Sequence, residues 1–190
     1  SPDRVQFSGE GMLIKQAADR PGRPTGVTGI KTLLPAKGDF AVTLDCRCIR
    51  LDEPSEGWGQ GMVFQVFLDD EEGTVLKMAR FSFPGQGPKC QAEIMYMNSD
   101  KPAEYYHRDM PFKDGSFTIA RRGAEVIFSV DNGSGSQVIE TRPCATADVR
   151  SVEIGCTRME KGNTPVQFLL KRLTLEADQF FAYQVPDRPW

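Results

Sequence analysis

Phe117-Thr-Ile-Ala-Arg-Arg122, Gly123-Ala124 and Glu125-Val-Ile-Phe-Ser-Val130 form the stretch that decides the fold. In an extended chain, successive side chains point to opposite faces. Phe117 and Ile119 then share one side, and Val126, Phe128 and Val130 alternate with Glu125 and Ser129. Two half-buried strands joined by a glycine-bearing turn make a β-hairpin. Asp131-Asn-Gly-Ser-Gly135 closes its far end as another tight turn.

The same pattern extends in both directions. Phe40 to Arg50 places Phe40, Val42, Leu44, Cys46 and Cys48 on one face, with Thr43, Asp45 and Arg47 on the other. Met62 to Leu68 is apolar at nearly every position, as expected of a central strand covered on both sides. The acidic loop Asp69-Asp-Glu-Glu-Gly73 leads into a further strand, Thr74 to Phe83. Gly11 to Lys15, Gly29 to Leu34, Cys90 to Asn98, Glu104 to His107, Gln137 to Arg142, Val149 to Arg158 and Val166 to Ala177 read as strands too. The loop Arg20-Pro-Gly-Arg-Pro24 opposes regular structure. The only helix-like spacing lies near Thr174 to Phe181, one turn at most. About eleven short strands separated by turns predict an all-β, two-sheet antiparallel sandwich or barrel.

A chain of 190 residues suits one such domain, with a core over roughly residues 10–177 and an aromatic C-terminal tail over 178–190. The tail, from Phe180-Phe-Ala-Tyr183 to Trp190, is expected to pack back on the domain or to dock on a neighbouring domain or subunit. A net charge of -3 argues against a general grip on nucleic acid or an anionic membrane. No apolar run approaches the roughly 20 residues of a membrane span. The chain opens Ser1-Pro2-Asp3 without an initiator methionine, which reads as a trimmed or mature fragment. Five cysteines, Cys46, Cys48, Cys90, Cys144 and Cys156, leave at least one thiol unpaired within a monomer. They read first as small buried apolar residues, with a disulfide left open.

The order of these features carries a resemblance. Gly11 to Ile14, Gly38-Asp-Phe40, the Gly-x-Gly element opening Gly59 to Leu68, the hairpin, Val149 to Arg158 and Leu169-Leu-Lys-Arg-Leu-Thr-Leu-Glu176 together resemble the concanavalin A-like lectin/glucanase superfamily, which includes laminin-G-like domains. Within it the chain is most similar to a family of bacterial domains of unknown function found in large exported proteins. The resemblance implies a jelly roll of two curved antiparallel sheets, and an exported or cell-surface setting. Many members bind glycans on the concave face or rim, and some hydrolyse them. Fold alone does not transfer either activity.

Any activity must be carried by particular residues. Superfamily glucanases carry Glu-x-Asp-x-Glu on one strand, and this sequence has no such triplet. Glu93 has Gln91 and Met95 as its same-face neighbours. A glycan-cleaving enzyme would need carboxylates from separate strands, for instance Glu93 with Glu104 or Asp109, at about 5–9.5 Å. His107 is the only histidine and reads as a surface or strand-end residue beside Tyr105 and Tyr106. Metal, P-loop and dinucleotide motifs are absent, and no cofactor is expected. Rim calcium, which the resemblance suggests, would fall on Asp131 and Asn132 or on Asp69 and Asp70, although turn chemistry accounts for both loops.

Sugar sites pair an aromatic face with hydrogen-bonding side chains. The candidates are Trp58, Tyr96, Tyr105 and Tyr106, with Gln65, Arg80 and Arg121 as polar partners on strand faces opposite the core. Trp58 reads equally as a plug for the sandwich edge, and Arg121 as an ion-pair partner. Tyr96 is expected to leave the core in place of Met95 and Met97. The leading expectation is a non-catalytic, carbohydrate-binding accessory domain. The rivals are a glycoside hydrolase-like enzyme and a structural or interaction module.

Overall fold

The computed structural model describes residues 5–18, 26–110, 112–158 and 164–181. These form thirteen strands and, among the described residues, no helix. They are β1 (Val5–Ser8), β2 (Gly11–Gln16), β3 (Gly26–Thr32), β4 (Ala36–Leu51), β5 (Gln60–Leu68), β6 (Thr74–Phe83), β7 (Gly87–Tyr96), β8 (Glu104–Asp109), β9 (Asp114–Arg122), β10 (Glu125–Asp131), β11 (Ser136–Pro143), β12 (Val149–Arg158) and β13 (Val166–Phe180). All their pairings are antiparallel. One layer runs β1-β2-β13-β4-β9-β10-β11. The other runs β3-β12-β5-β6-β7-β8. A single ladder contact, Val149 with Ala36, links the two.

The core lies where the inward residues of both layers meet. β4 contributes Phe40, Val42, Leu44 and Cys46; β9 and β10 contribute Phe117, Ile119, Val126, Phe128 and Val130. β5 supplies Met62, Phe64, Val66 and Leu68, and β12 supplies Val152, Ile154 and Cys156. On β4, β9 and β10 these are the alternations read in the sequence. Each fully buried large side chain contributes about 1.5–3 kcal/mol of transfer free energy.

The helical spacing near residue 174 is overridden. β13 stays paired with β4 as far as Phe180 opposite Ala36, because the long β4 offers ladder partners over that whole length. β-bulges between Gln167 and Phe168, Leu170 and Arg172, and Ala177 and Gln179 absorb the mismatch in register. β1, short and largely exposed, is a strand the pattern did not announce. Of the aromatic tail, Phe180 and Phe181 are exposed, and Lys37 Nζ sits 4.7 Å from the Phe181 ring centroid. Residues 182–190 of the tail and the loop at 20–24 lie outside the described residues.

Three expected outward side chains turn inward. Arg121 shares its parity with Phe117 and Ile119 and is only 2% exposed. Its guanidinium donates to the carbonyls of Gly38, Ala145 and Ala147 and lies over the Phe40 ring. Arg80 shares its parity with Leu76 and Met78, is buried, and donates to the Phe112 carbonyl. At the sandwich ends, loop carbonyls turn inward and need donors, and arginine reaches them with several N–H groups at once. Tyr96 packs against the core beside Ile94, and it is Met95 that turns out.

All five cysteines are free. The Cys46 thiol donates to Met62 Sδ at 3.4 Å. Burial pushes the Cys46 and Cys90 thiols up to about 12 and Cys144 to about 11, and it raises Cys156 and Cys48 as well.

Candidate functional site

The ladder register of the second layer lines up outward residues from all six strands. One row runs Lys31, Glu153, Gln65, Lys77, Glu93, Tyr105; the next runs Gly29, Gly155, Val63, Ala79, Gln91, His107. From β3 to β6 the second row is small and apolar, and its Val63 and Ala79 join Phe81 in a minor core. On β7 and β8 both rows are polar, and on β6 the first row adds Lys77. Over them opens a cleft of about 740 Å³, lined by Trp58, Lys77, Phe83, Gln91, Glu93, Met95, Tyr105 and His107, with Gly57, Pro84 and Gln86 at its edge.

The loop before β5 supplies one wall. Gly57 and Gly59 flank Trp58 with φ of 94° and 100°, a region glycine adopts without the penalty a Cβ would bring. A Cβ on Gly59 would lie 2.7 Å from a Phe83 ring carbon, so the loop presses directly onto Phe83. Trp58 meets Phe81 edge-on at 6.2 Å, yet remains 55% exposed. It faces the cleft and does not plug the sandwich edge. Tyr105, 62% exposed, forms the opposite wall and stacks on His107 with ring centroids 5.6 Å apart.

The floor is a hydrogen-bonded chain. Lys77 Nζ and Gln91 Nε2 each lie 2.5 Å from Glu93 Oε2. Gln91 Oε1 lies 3.0 Å from His107 Nε2. A carboxylate only accepts, so Gln91 must turn its amide N–H to Glu93 and its carbonyl to His107. His107 Nε2 therefore carries a proton. Burial, and then the nearby Lys89 charge, holds the His107 pKa below its ordinary value, so the ring is neutral at pH 7. In that tautomer Nδ1 is a bare acceptor. The floor thus offers acceptors at Nδ1 and Glu93 beside the donors of Lys77, between two aromatic walls.

The remaining sequence candidates fall elsewhere. Gln65 is in the first row, buried, two strands from Glu93 and not on the cleft lining. Glu104 and Tyr106 have the opposite parity on β8. The Tyr106 hydroxyl donates to Glu104 at 3.3 Å and accepts from Arg142 Nε at 2.5 Å. Glu104 is consequently on the other side of the sheet from Glu93, and the two do not face each other. Asp109 shares the His107 face but bonds Lys89 at 2.9 Å. It lies four residues along β8 from Tyr105, the partner of Glu93, or about 13 Å at ~3.3 Å per residue, beyond hydrolase spacing.

Asp131 accepts from the Gly133 and Gly135 backbones, Asn132 from Ser134, and Asp70 from the Thr74 backbone, as turn residues do. No group of three His, Cys, Asp or Glu side chains able to hold a metal occurs among the described residues.

Lys77, Gln91, Met95, Phe83 and His107 were not singled out as site residues by the sequence. One signal was present: Gln91, Glu93 and Met95 alternate with Cys90, Ala92 and Ile94.

No protein-family model and no curated protein sequence matches the chain. Solved structures do. The alginate lyase from Klebsiella pneumoniae superposes with a TM-score of 0.67 at 11% identity, over 93% of this chain and 85% of that one. A β-1,3-glucanase from Mycobacterium marinum gives 0.59 at 11% identity, over 92% and 78%. A functionally unknown protein from Saccharomyces cerevisiae gives 0.58 at 11% identity, over 92% of both chains. The fold they share with this chain is an all-β jelly-roll sandwich of antiparallel sheets. At such identities the likeness is one of architecture.

Proposed function

We propose that the cleft over β6–β8 binds a carbohydrate chain. The observation that carries this reading is the pair of exposed rings, Trp58 and Tyr105, lining a cleft floored by Lys77, Gln91, Glu93 and His107. Aromatic faces cover the C–H patches of a pyranose, and the floor supplies donors and acceptors for its hydroxyls. The solved structures of similar architecture include polysaccharide lyases and a glucanase, which supports the same ligand class.

Affinity electrophoresis against a panel of soluble polysaccharides tests it. Retardation is expected on at least one gel, reduced about tenfold in affinity by Trp58→Ala and by Tyr105→Ala, with little change in melting temperature. A panel without any retardation, or retardation indifferent to both substitutions, would sink the reading.

Glycan cleavage is the second reading, and His107 favours it. A neutral imidazole with its tautomer held by Gln91 and a tyrosine stacked against it are groups that exchange protons. Release of new reducing ends, abolished by His107→Ala, is its measurement.

A further inference from the structure

Charge and hydrogen-bond direction in the cleft narrow the ligand further. Among the described residues, Lys77 and Glu93 are the only formally charged side chains on the lining, and they neutralise each other at 2.5 Å. Just outside, Lys89 and Asp109 do the same at 2.9 Å. The one cation that faces the cleft is therefore already bridged by an anion.

The direction of the hydrogen bonds is more selective than the charge. Both Lys77 and Gln91 bond Glu93 through Oε2, which leaves Oε1 to accept. His107 offers Nδ1, also an acceptor, because Nε2–H is taken by Gln91. Two acceptors on the lining of one cleft, with Gln91 between them, call for a ligand that brings protons. A sugar hydroxyl donates and accepts. A uronate carboxylate or a sulfate ester accepts only, and it would face the Glu93 carboxylate with no free cation to offset the repulsion.

We infer that the cleft takes an uncharged, hydroxyl-rich glycan and discriminates against uronate or sulfated chains, with Glu93 as the residue that sets this preference. The inference rests on the carbohydrate reading above and adds the ligand's charge class.

The test is titration calorimetry on the wild-type protein with laminarihexaose, cellohexaose and hexamannuronate, each at low and at high salt. At least one neutral hexasaccharide is expected to bind tenfold or more tightly than hexamannuronate, with an affinity that salt barely changes. Tighter binding of hexamannuronate, weakened by salt, overturns the inference while leaving the carbohydrate reading intact. Binding of none of the three, together with no retardation on any polysaccharide gel, overturns the carbohydrate reading itself.

Glu93→Gln supplies the second arm, with near-ultraviolet circular dichroism to establish that it folds. It removes the repelling charge and frees Lys77, so the neutral-to-uronate affinity ratio is expected to fall at least tenfold. A ratio that stays at the wild-type value in the folded variant removes Glu93 from the role assigned to it. The wild-type panel decides the charge class whether or not the variant folds.

Discussion

Lys77 and Glu93 stand directly opposite each other on β6 and β7, with Nζ 2.5 Å from Oε2 and both side chains almost closed to water. Such a pair is costly to bring out of water and costly to break, yet often dispensable as a whole. Either Lys77→Met or Glu93→Met alone is expected to lower the unfolding free energy by about 3 kcal/mol, because each strands a buried charge. The double substitution is expected to come within about 1 kcal/mol of wild type while abolishing ligand binding. Urea unfolding of the three variants measures this; additive losses would mean that the two charges do not compensate each other.

Arg121 is the structural counterpart. Its guanidinium joins β4 through Gly38 to the chain between β11 and β12 through Ala145 and Ala147. Each bond from a charged donor contributes about 1.5–3 kcal/mol, and buried carbonyls left without a donor cost more. Arg121→Ala is expected to lose about 3 kcal/mol or more. Arg121→Lys should recover only part, since an ammonium cannot span carbonyls on two segments in one plane. Glycan affinity of the folded fraction should not change. A melting temperature within a few degrees of wild type for Arg121→Ala would refute the role.

How far the sequence reached can be seen in these same residues. The periodic strands were legible because Phe117, Ile119, Val42 and Leu44 repeat at two, and burial follows that period. Yet the same parity puts Arg121 beside Phe117 and Ile119 on the inner face, and the preference for solvating a charge misled the reading there. Arg80 failed likewise, since β6 is buried on both faces and its pattern carries no contrast. The cleft was less legible still. Trp58 and Tyr105 stand out as aromatic residues, but Lys77, Gln91 and His107 become a set only through the register across three strands. Nothing local in the sequence specifies that register.

The buried thiols make an alkaline prediction. Cys46 and Cys90 are held up to about 12 and Cys144 to about 11, whereas thiols in an unfolded chain ionise near 8.5–9. Above about pH 9 the unfolded state therefore binds fewer protons than the folded one, and stability falls as pH rises. The slope per thiol approaches about 1.4 kcal/mol per pH unit. Urea unfolding under reducing conditions between about pH 8 and pH 10.5 should show the decline, and Cys90→Ala should make it shallower. An unchanged slope in that variant would show that Cys90 ionises alike in both states.

His107 makes the opposite, acidic prediction. Its pKa is depressed by burial first and by Lys89 second, so the folded state resists the proton that an unfolded histidine accepts near 6.5. As pH falls through 6.5 toward the depressed value, the unfolded state binds more protons and the stability contributed by neutral His107 is lost. Ligand binding should follow a lower midpoint than stability does. Protonation converts Nδ1 from acceptor to donor, so affinity for a neutral glycan should hold constant through pH 6.5 and decline only once the folded ring titrates. Nitrogen-15 shifts of the imidazole, followed alongside calorimetric affinity, measure both quantities on one sample. The expected spectrum at neutral pH is that of the Nε2–H tautomer, and Gln91→Leu should release it to a mixture of the two. A ring already charged at pH 7, or an affinity midpoint at or above 6.5, would contradict the acceptor role of Nδ1.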